Sequence, residues 1–306
     1  MKDLTLSQQC ALVGLDGQDS RHGTLAKRAV CRAIAAARLL EAVGEEVAAK
    51  PAGDAALAQR LGERLEQGLC GVRKQKRPEA KRLEEEAAGQ LLAEGLLEEV
   101  PDILGCDINY ATSGVELFAW RADSERYSGI VEGLRAEILE DGPVSWETAC
   151  LLWLFGECGC LHDMFSVEEQ KRLDERMVGL GAGDPVLAAL WQAEFHSGLE
   201  RAAVGFLKRK ENLFRNPYLQ GVNLIFPFLD RRKSIFIDFV VLGTNVRDRR
   251  LAVLAALSER GHYVEEVRNG EETLLKIDNC YYRIFPGVRR YYKVPVQGGN
   301  LVPVYR

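Results

Sequence analysis

The apolar periodicity of this chain changes once, and that change limits the folds open to it. Up to about residue 200, apolar residues recur at helical spacing, as at Leu25, Ala29, Ile34, Ala37 and Leu40. From about Asn216 the apolar runs become short, β-branched and aromatic, with IFIDFVVL at 235–242 as the strongest. Such a chain is predicted to be mainly α. Residues 1–215 form a helical domain with one β-hairpin; residues 216–306 form a small α/β module, one helix on an antiparallel sheet. With 306 residues there is chain enough for two such units.

Local signals place the elements. Thr24, Asp54, Ser145 and Ser166 stand where helix caps are wanted, and Ser166 with Glu169 has capping-box spacing. Pro185 opens a helix predicted to run to Arg209. The hairpin is predicted from extended segments at 96–110 and 115–120 joined through Ala111-Thr112-Ser113-Gly114. In the module, a helix over 245–260 ends at Gly261. Strands are predicted at 263–267, 273–277, 281–285, 291–296 and 301–305, with turns at Asn269-Gly270, Asp278-Asn279 and Gly298-Gly299.

Catalytic raw material is sparse. The four histidines, His22, His162, His196 and His262, accompany no nucleophile elbow, phosphate-cradling glycine loop or His-Glu-x-x-His signature. Gly179, Gly181 and Gly183 follow a helical run, where a dinucleotide fingerprint would follow a strand. Cys158, Cys160, His162 and Asp163 make the densest group of metal-ligating types. The C-x-C spacing is too tight for a structural zinc pair, and no second pair completes four ligands, so the cysteines read as small packed hydrophobes. No catalytic set, metal or cofactor is therefore expected. Asp238, an acid inside an apolar strand, must either find a partner or face solvent. Glu84-Glu85-Glu86 and Glu168-Glu169 read as solvated helix faces.

The start Met1-Lys2-Asp3 lacks the apolar run of an export signal, and no apolar stretch reaches membrane-span length. The expected location is cytoplasmic, with the eight cysteines as free thiols. Net charge is −5 but unevenly spread: residues 1–100 carry 15 basic and 16 acidic side chains, 101–200 carry 6 and 19, and 201–306 carry 19 and 10. Either the acidic middle docks the basic end, or the basic end faces an anionic partner. Two basic groups are candidates for external contact. Arg73, Lys74, Lys76, Arg77, Lys81 and Arg82 could meet several phosphates of an anionic membrane surface. Arg289 and Arg290, with Tyr281, Tyr282, Tyr291 and Tyr292, could form a single-stranded nucleic-acid platform. A protein partner of unknown identity is also expected, and an enzyme with a site between the two parts is the third reading.

The opening Leu4-Thr5-Leu6, the apolar run Cys10 to Asp16 and the long helix to Leu40 resemble the start of the Golgi phosphoprotein family. The likeness continues through Lys81-Arg82-Leu83 and on to Leu91, Gly95 and Leu97, where that family has a helix ending in glycine before a hairpin. It covers about the first 175 to 200 residues and leaves out the module. The resemblance implies a helical fold, a membrane-contacting hairpin near 103–120, a core helix from Ser145, and phosphoinositide binding as in the family's eukaryotic members. With it, the leading expectation is a non-enzymatic peripheral membrane adaptor.

Overall fold

The computed structural model describes residues 3–48, 54–196, 205, 232–238, 246–268 and 273–304. Its helical part contains α1 (Leu6–Leu15), α2 (Leu25–Ala48), α3 (Ala55–Arg73) and α4 (Arg77–Ala93). A hairpin follows, β1 (Leu97–Pro101) and β2 (Phe118–Ala122), with the short α5 (Ile108–Ala111) in its loop. Then come α6 (Ser124–Leu139), α7 (Trp146–Cys158), α8 (Leu161–Met164), α9 (Val167–Gly183) and α10 (Pro185–Gln192). The module comprises β3 (Ile235–Asp238), α11 (Val246–Glu259), β4 (Val264–Arg268), β5 (Thr273–Ile277), β6 (Cys280–Tyr291) and β7 (Val294–Val304). The fold is mainly α with a C-terminal α/β module, as the periodicity implies.

Helix α7 is apolar on every side and lies at the centre, its residues from Thr148 to Phe155 all buried. It packs against α2, where Ala29, Ala33, Ala36 and Ala37 are buried and let neighbouring backbones come close. Gly14 of α1 faces Val30 so closely that a Cβ there would sit 2.6 Å from a Val30 methyl. The predicted caps are present: Thr24, Asp54, Ser145 and Ser166 each accept a backbone N–H three residues on, and Glu169 completes the box with Ser166.

The module sheet has strand order β3-β7-β6-β5-β4, every neighbouring pair antiparallel. Its core gathers Ile235, Ile237, Val253, Leu257, Leu275, Ile277, Tyr282 and Leu301. Leu104 and Cys106, from the hairpin loop, belong to the same core, so the two parts of the chain share apolar packing.

Four expectations are corrected. The helix from Pro185 stops at Gln192, where the Trp153 indole N–H donates to the Ala193 carbonyl and holds the chain on α7; the rest of the predicted helix lies largely outside the described residues. Residues 103–110 are not extended: Asp102 and Asp107 cap a 3₁₀ turn (Ile103–Cys106) and α5 through their side chains. The strands predicted at 281–285, 291–296 and 301–305 are two long strands turning at Tyr292-Lys293. Gly298-Gly299 is no turn but lies within β7, where a Cβ on Gly298 would collide with Phe236 and the Ile237 carbonyl. The expected turn at Asn269-Gly270 lies outside the described residues.

Candidate functional site

The two basic groups singled out in the sequence have different fates. The first lies at the corner where α3 meets α4. Lys74 closes α3, its backbone N–H reaching the Gly71 carbonyl and that of Gln75 the Val72 carbonyl, and Arg77-Pro78 opens α4 three residues after Lys74. Arg73 is turned inward: its guanidinium grips Glu66 by two bonds of 2.6 and 2.8 Å and donates to the Glu194 carbonyl at 2.8 Å. The other five, Lys74, Lys76, Arg77, Lys81 and Arg82, are exposed. Among the described residues only Lys81 has a carboxylate partner, Glu85 at 3.6 Å, and both groups are exposed, so the pair is worth little. The corner is thus a solvated cationic surface with Glu79 and Glu85 as its near acids.

The second group is dispersed. Tyr282 is 3% exposed and belongs to the module core. Burial raises its hydroxyl pKa well above the ordinary value, with the neighbouring Cys280 acting in the same direction. Arg289 pairs with Asp107 at 3.3 Å and lies over the Phe236 ring; desolvation lowers its pKa although Asp107 opposes this. Tyr291 is half-buried and shares a 2.6 Å hydrogen bond with Thr112 of the hairpin loop. Tyr281 is half-buried too, leaving Arg290 and the 85% exposed Tyr292 at the surface. The sheet does not present these six residues on one exposed face.

The hairpin is found at the predicted place, but its loop is folded inward. Leu104, Gly105, Cys106 and Ile108 are buried, Leu104 and Cys106 against β3, β5 and α11. The surface part is the turn 111–116, with Val115 as its large exposed apolar residue.

What fastens this loop is a set of charged and amide groups that sequence reasoning missed. Asp16 accepts from the Ala122 backbone at 3.0 Å, from Asn279 at 2.9 Å and from Arg232 at 3.1 Å. Arg232 also donates to the Tyr127 hydroxyl at 2.9 Å and lies 3.8 Å from Asp163. Burial opposes its charge, yet Cys280, Tyr127, Asp163 and Asp16 more than offset that and hold its pKa above the ordinary arginine value. Lys233 pairs with Asp102, and Asp107 takes the Phe236 backbone N–H at 2.8 Å. Arg121 bridges Glu98 at 2.7 Å and Asp278 at 2.9 Å. The acidic and basic parts of the chain therefore dock on each other. One signal could have found Asp102 and Asp107: each is an acid in an apolar stretch, the rule applied to Asp238, which is itself exposed. Likewise Glu84 is buried rather than solvated, paired with Lys27 at 2.8 Å.

The thiols at Cys158 and Cys160 are buried 3.2 Å apart, and no group of three metal-ligating residues occurs among the described residues. No described helix is long and apolar enough to cross a membrane. No known family, curated protein or solved structure matches this chain.

Proposed function

We propose that the protein is a non-enzymatic peripheral adaptor that meets an anionic membrane surface through the α3–α4 corner. The observation that carries this reading is the contrast between the two basic groups. In the second group Arg289 is engaged by Asp107 and only Arg290 and Tyr292 are exposed, whereas Lys74, Lys76, Arg77, Lys81 and Arg82 are all exposed, with Glu79 and Glu85 beside them. Each cation near an anionic leaflet contributes about 1 kcal/mol, so five supply about 5 kcal/mol before the two acids are counted. That suits weak, reversible association. The hairpin adds little in this arrangement, because its apolar residues are spent on the module core.

The test is co-sedimentation with vesicles of phosphatidylcholine alone or mixed with phosphatidylserine, at two salt concentrations. Binding is expected only to the mixed vesicles, weakened by salt, and reduced about tenfold or more by Lys81→Glu/Arg82→Glu. Binding that ignores this double reversal sinks the proposal. Binding displaced by single-stranded DNA at lower concentration than by lipid would assign the corner to nucleic acid instead.

A further inference from the structure

A cavity of about 480 Å³ opens where the helical part meets the module sheet, away from the α3–α4 corner. Its size falls within the range of small-molecule sites. Helix α6 supplies one wall with Tyr127, Ser128 and Arg135; β5 and β6 supply the other with Lys276, Cys280 and Tyr281; Arg232 stands between them. Val131, Met164 and Val304 give it an apolar part.

Its two arginines are matched by four carboxylates, and its lysine, among the described residues, by none. Arg135 is engaged by Glu169 and lies 3.6 Å from Glu132, while Arg232 is held by Asp16 and faces Asp163. Lys276 has no carboxylate partner among the described residues; its ammonium donates to the Ser124 hydroxyl at 3.2 Å, leaving two N–H groups over. A half-buried lysine in a cavity with hydroxyls and an apolar wall is chemistry for an anionic group on a carbon body. The walls are also fixed before any ligand arrives, because Arg232 and Asn279 are tied to Asp16.

We propose that this cavity binds a small organic anion, a carboxylate or phosphate monoester on an apolar body, with Lys276 as its charge partner. Cys280 makes the proposal readable. Of the eight free cysteines only Cys70 and Cys280 are not buried, and Cys280 lines the cavity whereas Cys70 lies on α3.

The experiment follows iodoacetamide labelling of both thiols by peptide mass spectrometry, with phenyl phosphate, benzoate or neutral phenol added at matched ionic strength. Phenyl phosphate or benzoate should slow Cys280 labelling saturably and leave Cys70 unchanged, and the better of the two assigns the headgroup. Phenol should have no such effect. Lys276→Met should need about tenfold more anion, the loss of a charge-assisted hydrogen bond, while Lys276→Arg and the distant Lys293→Met stay near the parent. Absence of protection by either anion, equal protection by phenol, or an unshifted Lys276→Met response would overturn the proposal. So would a Cys280 that resists labelling in the protein alone. The cavity and the corner share no residue, so failure of one leaves the other standing.

Discussion

Asp16 shows how one buried carboxylate can hold two parts of a chain together. Its oxygens are met by a backbone N–H, an amide and a guanidinium from three separate segments, which answers the cost of taking it out of water. Removing it leaves Arg232 buried with a partner lost. Asp16→Ala should therefore cost about 3–5 kcal/mol in urea denaturation, whereas exposed Asp238→Ala should stay within about 0.5 kcal/mol. Asp278 carries a pH signature of the same junction. Burial acts to raise its pKa, but the bonds from His262 and Arg121 outweigh that and hold the carboxyl below its ordinary value. A group depressed in this way adds stability above about pH 4, and loses it as the pH falls through the lowered folded value. Urea midpoints measured downward from pH 5 should drop more steeply for the parent than for Asp278→Asn, which tolerates the positive φ at that position. Equal slopes would mean that Asp278 is not linked to folding.

At the scale of elements, the hairpin loop is the part whose role differs most from what its sequence suggests. Its apolar residues look like a membrane-facing tip when the loop is read alone. In the fold, Leu104 and Cys106 complete the core under the module sheet, and burial pushes the Cys106 thiol pKa up to about 12. Leu104→Ala should destabilise by about 2–5 kcal/mol and leave vesicle binding of the folded fraction unchanged; a binding loss without a stability loss would return the loop to the membrane. Caps at Thr24, Asp54, Ser145 and Ser166 were legible in sequence because each is satisfied within its own turn. The end of α10, the conformation of 103–110 and the continuity of β6 and β7 were not. Each is decided by a contact from elsewhere: Trp153 on Ala193, the module on Leu104, and Phe236 against Gly298.

Across the whole molecule, charge asymmetry was legible as a number but not as a partition between internal and external use. Counting put +9 on the last third of the chain, and only the fold assigns Arg232, Lys233 and Arg289 to Asp16, Asp102 and Asp107. The corner cations were named from sequence because they cluster within ten residues; the cavity at Lys276 was not, since its walls are far apart along the chain. Hydrogen–deuterium exchange on phosphatidylserine-containing vesicles, compared with phosphatidylcholine vesicles, tests this partition directly. Slowed exchange is predicted at 74–82, with residues 102–117 and 281–292 unchanged. Protection at the hairpin loop or along β6, with 74–82 unaffected, would contradict it.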